Sequence, residues 1–282
     1  MVTRFAPSPT GLLHLGHAYA AMFARHIASE HGGRFLLRFE DIDITRVRDE
    51  YYLAIEEDLG WLGIEWEGTP LRQQDRLEAY RQSLDKLDEL GVLYPCFCSR
   101  RDIEEELKTI ANAPHGPGTG VDPGLYPGTC RTLSEMERQF RLQAGDSHCW
   151  RLDAGAAAEL TGPLQFEDRI KGCQQVDPFL LGDVILARKD IATSYHLAVV
   201  TDDAFEQITD VTRGEDLLSS THVHRTLQSL LGLPAPVYHH HQLLLDERGK
   251  RLAKRTEALS LRTLRETGKS PQNVIAMLPP LQ

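Results

Sequence analysis

The stretch that decides the fold is residues 2–39, "VTRFAPSPTGLLHLGHAYAAMFARHIASEHGGRFLLRF". Its first segment, residues 2–6, predicts a short strand. The prolines and the glycine of residues 7–11 prevent this strand from continuing and predict a loop. A helical pattern follows over His17–Glu30, and a second apolar run at residues 35–39 predicts another strand. Strand, loop, helix and strand within 40 residues form a βαβ unit, which predicts a parallel sheet.

The rest of the chain continues this α/β pattern with one interruption. Helices are predicted near Asp49–Leu59, Asp75–Leu90 and Thr221–Leu231, whereas residues 112–128 are rich in glycine and proline and residues 150–190 have a β-rich pattern. We therefore predict a Rossmann-type, parallel-sheet nucleotide-binding domain interrupted by a β-rich insert. The predicted parts are the first half of the domain at 1–91, the insert at 92–190, and the second half with a short helical C-terminal part at 191–282, without an anticodon-binding domain.

Composition and charge exclude some classes of protein and leave others open. The chain has 282 residues, and it contains neither an apolar run of about 18 residues nor a signal sequence, so we expect a cytoplasmic protein without a membrane span. The formal net charge is −10, but it is unevenly distributed. Residues 40–67 carry ten acidic and two basic side chains, and residues 221–282 carry nine basic and four acidic ones. This basic end suits an anion or RNA contact, although a simply solvated charged surface fits equally well.

Two segments have the residue types of a polyphosphate site. The loop after the first strand opens at the carboxyl edge of the sheet, where Gly16 permits close approach and His14 and His17 can donate hydrogen bonds to phosphate. A tight turn with one histidine in the core is the alternative for this loop. The second segment is "DERGKRLAKRTEALS", residues 246–260, whose cations follow a glycine turn and could neutralise a departing pyrophosphate. An exposed basic loop would have the same composition.

Taken together, these segments carry a family resemblance. "HLGH" (14–17) and "RLAKR" (251–255) resemble the paired signature motifs of the class I aminoacyl-tRNA synthetases. "LRFEDID" (37–43) and "YHLAVVTDDAFEQITDVTRGEDLLSST" (195–221) resemble the glutamyl members, and the resemblance runs in order along nearly the whole chain. Since only about 27 residues follow the basic motif, the chain is most similar to a family of shortened paralogues, the glutamyl-queuosine tRNA(Asp) synthetases.

This resemblance implies a reaction and a set of partners. The family activates L-glutamate with ATP and Mg²⁺ and then esterifies it to the queuosine base at the wobble position of tRNA(Asp). We expect no membrane partner and a monomer. The catalytic residues implied are His14, His17 and Lys254, and the ATP-binding residues are His14, Gly16, His17, Arg251 and Lys254. The glutamate-binding residues implied are Arg4, Phe5, Ala6, Pro7, Ser8, Glu40, Tyr195 and Arg213.

The basic motif departs from the family pattern at two positions. The glutamyl pattern is Lys-Leu-Ser-Lys-Arg, and here Arg251 and Ala253 replace the first lysine and the serine. The lost hydroxyl removes one hydrogen-bond donor, about 1 kcal/mol net, which predicts slower adenylate formation with Lys254 still in place.

Cysteine spacing indicates a metal site. Cys96, Cys98 and Cys130 are three candidate zinc ligands, although buried cysteines fit the spacing as well. The resemblance implies a Cys-x-Cys…Tyr-x-x-x-Cys site, which adds Tyr126 as the fourth ligand, and His115 is an alternative for that place. The zinc would be structural, one per chain. We expect the remaining Cys149 and Cys173 to lie in the core, and a second metal site at His239–His241 is a weaker alternative.

Two other functions remain open at this point. The chain could be an ordinary glutamyl-tRNA synthetase fragment that charges a tRNA 3′ end. It could also be a non-catalytic paralogue that binds RNA or an amino acid, for which the altered basic motif is the only support. The destination of labelled glutamate discriminates the first alternative, and ATP–pyrophosphate exchange discriminates the second.

Overall fold

The computed structural model describes residues 1–111, 125–244 and 260–281. The helices of these residues are α1 (Leu15–Glu30), α2 (Asp49–Trp61), α3 (Leu77–Glu89), α4 (Arg100–Ala111), α5 (Glu135–Gln143), α6 (Ala154–Thr161), α7 (Tyr195–Phe205), α8 (Leu218–Leu231), α9 (Leu261–Glu266) and α10 (Pro271–Ile275). The strands are β1 (Val2–Phe5), β2 (Arg34–Phe39), β3 (Leu71–Arg72), β4 (Leu93–Cys96), β5 (Cys149–Leu152), β6 (Gln165–Asp168), β7 (Gly172–Gln175), β8 (Ile185–Ala187), β9 (Asp210–Gly214) and β10 (Val237–His241).

The predicted βαβ unit is present at the N-terminus. Strands β1 and β2 pair in parallel, with Val2 opposite Arg34, and α1 connects them. The buried residues of α1 include large side chains as well as a row of small ones, in which Ala18, Ala21 and Ala24 are all fully buried. Small side chains at successive turns let the helix lie close against the strands, which keeps its N-terminus fixed at the end of β1.

The central sheet is assembled from both halves of the chain. One group has the order β1–β2–β3, and the other has the order β7–β6–β10–β9. The two groups meet where β9 lies beside β1, since the Thr209 N–H donates to the Val2 carbonyl at 3.0 Å. Because β9 and β10 pair in parallel, as β1 and β2 do, the segments that follow these strands supply the ligand-binding edge of the α/β sheet. An α/β fold with a parallel sheet is therefore confirmed.

Residues 92–190 contribute to two sheets. Strands β4, β5 and β8 form an antiparallel sheet of their own. Strand β6, in contrast, joins the central sheet through a parallel pairing with β10, in which Asp168 lies opposite Tyr238. The β-rich pattern predicted for residues 150–190 is interrupted by helix α6, whose N-terminus is capped by the Asp153 carboxylate accepting from Gly155 and Ala156. The pairing of β6 with β10 matters for the site, because it brings the Asp168 carboxylate to the His240 ring.

The C-terminal described residues return to the N-terminal motif. Leu261 N–H donates to the Leu13 carbonyl at 2.8 Å, and an isolated antiparallel bridge joins Ser260 to His14. The short helices α9 and α10 follow, and Leu261 and Val274 are buried in the same apolar cluster as α1. Across the three described ranges, no helix is long and apolar enough to cross a membrane.

Candidate active site

A cavity of about 390 Å³ opens at the ends of β1, β2, β9 and β10, beside the N-terminus of α1. The predicted site residues that line it are Arg4, Phe5, Ala6, His14, Gly16, His17, Glu40, Tyr195 and Arg213. A second cavity of about 220 Å³ shares Glu40 and Tyr195 with the first and includes Ser8. Pro7 lines neither cavity, and its carbonyl accepts from the Glu40 N–H at 3.1 Å. Arg251, Lys254 and His115 lie outside the described residues.

The two histidines of the HLGH motif form the N-terminal cap of α1. His14 is the N-cap, and its Nδ1 accepts from the Gly16 N–H at 3.1 Å. The His17 Nδ1 accepts in turn from the His14 N–H at 3.2 Å, and the two rings stack with centroids 3.8 Å apart. Since both Nδ1 atoms accept, each ring carries its proton on Nε2. The motif therefore presents two imidazole N–H groups beside a helix N-terminus, an arrangement suited to phosphate oxygens.

Gly16 is needed for this cap. A Cβ at position 16 would lie 3.0 Å from Cε1 and 3.2 Å from Nδ1 of the His14 ring. Any side chain there would push against the imidazole that caps the helix. The glycine thus acts through the histidine as well as through access to the backbone.

Arg4 already has a carboxylate partner. Its Nε donates to Asp203 Oδ1 at 2.9 Å, and its Nη1 donates to the Thr212 carbonyl at 3.3 Å. Asp203 also accepts from Arg38 Nη2 at 2.6 Å, and Arg38 pairs further with Glu206. Burial would raise the pKa of Asp203, but the two guanidinium groups outweigh it and lower this pKa. Arg4 therefore stands at the cavity with its charge largely balanced from within the protein.

Arg213 is held differently. It is buried at the end of β9, and its polar contacts are His240, His224, Tyr195 and Thr221. Nε donates to His240 at 3.1 Å, and Nη1 donates to His224 at 3.0 Å. Among the residues that the structure describes, no carboxylate forms an ion pair with Arg213. Its charge remains available to an anionic ligand in the cavity.

The groups around Arg213 are uncharged imidazoles and a phenol. Burial, and then the charge of Arg213, hold the pKa of His224 well below its usual value and lower that of His196 to about 4. Burial also lowers the pKa of His240 and raises that of the Tyr195 phenol. These side chains orient the guanidinium through hydrogen bonds without neutralising it.

Glu40 is the acidic group shared by both cavities. It follows directly after β2, and its backbone is held by the Pro7 carbonyl. Burial raises the pKa of Glu40 to about 7, against the opposing effect of Arg38 and Arg4. A carboxylate with a raised pKa is a strong partner for a ligand cation, because binding the cation relieves the penalty of its burial.

The predicted metal ligands lie together. The sulfur atoms of Cys96, Cys98 and Cys130 are within 4.8 Å of one another, and Cys98 and Cys130 are 3.4 Å apart. The Tyr126 hydroxyl is 3.4 Å from the Cys96 sulfur and 3.6 Å from that of Cys98. Sulfur atoms around zinc at about 2.3 Å are spaced by about 3.8 Å in a tetrahedron, so the donor set and its spacing fit this ion. Cys149, opposite Cys96 in the strand pairing, is buried in the same cluster as predicted.

The prediction for Cys173 is wrong, because this cysteine is exposed. It lies on β7, which is the edge strand of its sheet and is mostly exposed. The side chains of His239–His241 do not converge, because His240 points to the opposite face of the strand from the other two, and each histidine has a different partner. His239 contacts Asp210, and His241 faces the cavity with its Nδ1 donating to the Gln242 carbonyl at 2.9 Å. The three histidines belong to no metal-ligand group found among the described residues.

Comparisons with known proteins agree with this geometry. Residues 1–280 match the family model of the tRNA synthetases class I (E and Q), catalytic domain. The chain belongs to this family. It is 49% identical over 279 residues to a Glutamyl-Q tRNA(Asp) synthetase of Rhodobacter capsulatus, which covers 97% of this chain and 98% of the relative. A protein of that name from Nitratidesulfovibrio vulgaris is 44% identical, covering 98% of this chain and 84% of the relative.

Within this family, the chain is a member of the glutamyl-Q tRNA(Asp) synthetase group, and it is therefore a ligase. The crystal structure of the glutamate-tRNA synthetase from Elizabethkingia anophelis superposes with a TM-score of 0.77 at 28% identity. That match covers 95% of this chain and 54% of the solved one, so the chain spans about half the length of that synthetase. The family resemblance read from the sequence is confirmed.

The sequence did not reveal the residues that hold the two arginines. Asp203, His224, His240 and Asp168 all act from the layer beneath the cavity wall. The run of three histidines at the end of β10 was a sequence signal for His240, and it is consistent with a metal site as well.

Proposed function

We propose that this synthetase activates L-glutamate with ATP to glutamyl-adenylate and transfers the glutamyl group to the queuosine base of tRNA(Asp). The observation that carries the proposal is a cavity that joins a guanidinium with no carboxylate partner among the described residues, an acidic group and the imidazole-capped N-terminus of α1. An amino acid with an anionic side chain and a triphosphate are the ligands that these groups complement.

Arg213 and Glu40 define how glutamate would lie. The side-chain carboxylate pairs with Arg213, because that guanidinium has no carboxylate partner among the described side chains. The α-ammonium pairs with Glu40, whose raised pKa falls when a cation binds beside it. The α-carboxylate is then left to react, and Arg4, already paired with Asp203, contributes a background positive potential at the cavity wall.

The activation step needs little from the protein beyond positioning. An oxygen of the glutamate α-carboxylate attacks the α-phosphorus of ATP, the new C–O–P linkage forms, and pyrophosphate leaves with the electron pair of the broken P–O bond. A carboxylate is already a nucleophile, so no catalytic base is required. His14 and His17 donate their Nε2–H groups to the phosphate oxygens, and Lys254 neutralises the charge that develops on the leaving group. Mg²⁺ bound with ATP would supply further charge neutralisation on the phosphates.

The choice of acceptor rests on the relatives. Proteins 42–49% identical to the chain are named Glutamyl-Q tRNA(Asp) synthetase. A second candidate function is the charging of a tRNA 3′ end, which is favoured by 36–38% identity to proteins named Glutamate--tRNA ligase. In either case a hydroxyl of the acceptor attacks the carbonyl carbon of the adenylate, an ester forms and AMP leaves.

We also propose that Cys96, Cys98, Tyr126 and Cys130 hold one structural Zn²⁺. The ion would tie the end of β4 to the segment around Cys130, which approach each other through the three sulfur atoms and the Tyr126 hydroxyl. Zinc has no redox chemistry and prefers a closed four-ligand shell at structural sites.

The deciding experiment follows labelled glutamate. The enzyme is incubated with ATP, glutamate and tRNA(Asp) with or without queuosine, and the digested nucleosides are weighed by mass spectrometry. Glutamyl-queuosine only in the modified tRNA supports the proposal. Label at the 3′ adenosine, independent of queuosine, supports the second candidate. The absence of ATP–pyrophosphate exchange with any tRNA would contradict both.

A further inference from the structure

Arg213 stands at the end of a buried chain of hydrogen bonds that leaves the cavity. Its Nε donates to His240 Nε2 at 3.1 Å, and the Thr221 hydroxyl lies 3.0 Å from the same nitrogen. On the far side of the ring, His240 Nδ1 meets a carboxylate oxygen of Asp168. The Asp168 and His240 side chains are fully buried, and Asp168 comes from β6, a strand distant in sequence from β9 and β10.

The chemistry of these groups fixes the tautomer of the ring. A guanidinium can only donate, so His240 Nε2 must accept and the ring proton must be on Nδ1, facing Asp168. The other oxygen of Asp168 is already committed, because it accepts from the backbone N–H groups of Ile170 at 2.9 Å and Lys171 at 2.8 Å. From Arg213 through His240 to Asp168, each donor and acceptor therefore has a defined role, and the Thr221 hydroxyl joins this line from the side as an acceptor for Arg213 Nη2.

We propose that Asp168 and His240 are positioning residues for Arg213. They hold its guanidinium in the cavity without neutralising its charge, so that Arg213 selects an anionic amino acid side chain. This inference rests on the proposed role of Arg213 in binding the glutamate carboxylate. It assigns a task to two residues that do not line the cavity.

The spacing of charges explains why an imidazole is placed between the two ions. Asp203 pairs directly with Arg4 and balances its charge. Asp168 is instead separated from Arg213 by the full width of the His240 ring, so its carboxylate fixes the tautomer without competing for the guanidinium. A direct carboxylate partner would offer an anionic substrate no advantage over a neutral one, such as glutamine, which is close in size.

Asp168→Asn is a sharp test because the change is nearly isosteric. The amide oxygen is expected to keep the two backbone N–H donors, which leaves the NH₂ group facing His240 Nδ1. The ring must then accept at Nδ1 and carry its proton on Nε2, where it confronts the Nε–H donor of Arg213. We expect the KM for glutamate in ATP–pyrophosphate exchange to rise at least about tenfold, with the KM for ATP unchanged.

A matched pair at position 240 separates the two ends of the ring. His240→Gln places a carbonyl near the original Nε2 and keeps an acceptor for Arg213, whereas His240→Asn reaches only the Nδ1 position and loses that acceptor. Both variants remove the same stacking on Tyr238. We expect the Gln variant to bind glutamate more tightly than the Asn variant and to reject glutamine better.

The double variant Asp168→Asn with His240→Gln completes the cycle. Since a glutamine carbonyl does not depend on a ring tautomer, Asp168→Asn should add little to the KM for glutamate in this background. Asp85→Asn, an exposed change on α3, is the matched control and should leave every constant unchanged. Equal effects of Asp168→Asn in both backgrounds would overturn the proposal, as would equal rises in the KM for glutamate and for ATP.

A direct readout does not depend on catalysis. Long-range ¹H–¹⁵N correlation spectra of the folded enzyme should show His240 protonated at Nδ1, and at Nε2 after Asp168→Asn. An Nε2–H tautomer in the unmodified enzyme would overturn the inference even if the exchange activity is normal. If the unmodified enzyme shows the expected tautomer but no exchange with glutamate, the proposed function fails while the positioning of Arg213 stands.

Discussion

The raised pKa of Glu40 predicts that glutamate binding is strongly dependent on pH near neutrality. With a pKa of about 7 in the empty cavity, Glu40 is ionised to about 90% at pH 8 and to about 10% at pH 6. Only the carboxylate pairs with the α-ammonium, so the Kd for glutamate should rise about tenfold as the pH falls from 8 to 6. In the complex the ammonium lowers the pKa of Glu40, and binding at pH 6 should release nearly one proton.

Titration calorimetry without ATP measures both quantities. The Kd follows from the isotherm, and the released protons follow from the enthalpy in two buffers of different ionisation enthalpy. Glu40→Gln is the control variant, which should bind glutamate weakly at pH 8 and lose the pH dependence. A Kd that is equal at pH 6 and pH 8, or a Gln variant that keeps the proton release, would refute the role of Glu40.

The raised pKa of Glu40 also makes the ligand-free enzyme more stable at low pH than at high pH, whereas glutamate binding is favoured at high pH. The folded pKa of Glu40 lies above the ordinary glutamate value of 4.5, so the folded state binds a proton more tightly than the unfolded chain. This contribution to stability is complete below pH 4.5 and is lost as the pH rises through about 7. Glu40→Gln should therefore raise the Tm of the ligand-free enzyme at pH 8 and leave it unchanged at pH 4.

Three further perturbations test the rest of the site. Gly16→Ala should displace the His14 ring, because the new Cβ would lie 3.0 Å from it. We expect the KM for ATP in pyrophosphate exchange to rise while the KM for glutamate stays constant. Lys254→Ala should lower ATP–pyrophosphate exchange at least about tenfold with an unchanged melting curve, since a contact to the leaving group commonly stabilises the transition state by over about 1.4 kcal/mol. Near-normal exchange would show that the role of Lys254 is misassigned. Cys130→Ser should lower both the zinc content measured by mass spectrometry and the Tm. Cys173→Ser, at an exposed cysteine, should change neither. Equal zinc content in the two variants would contradict the metal site.

Periodicity and glycine positions in the sequence predicted the helices and strands of the βαβ unit. The order of the strands in each sheet depends on pairing between distant segments, which these local patterns do not contain. The βαβ unit was readable because periodicity and glycine breaks agree over residues 2–39. Helix α1 begins at Leu15, two residues before the predicted start, because a histidine serves as its N-cap where serine, threonine, aspartate or asparagine is usual. The exposure of Cys173 was not readable, since nothing in its neighbours marks β7 as an edge strand.

The substrate-facing residues were predictable by their motifs, but their charge state was not. Arg4 and Arg213 are alike as sequence letters, and they differ because Asp203, 199 residues along the chain, neutralises only the first. Arg213 is instead held by His240, whose partner Asp168 lies 72 residues away in the sequence. The two meet through the pairing of β6 with β10. Such separations leave no trace in a single sequence.

The cap of α1 also limits how this enzyme can be made more robust. A serine or aspartate at position 14 is the standard replacement for a stronger helix start, and here it would exchange a phosphate donor for a firmer first turn. Attempts to stabilise the protein against heat should therefore begin at the other end of that helix, where the His31 imidazole contacts the Ile27 carbonyl and does not line the cavity.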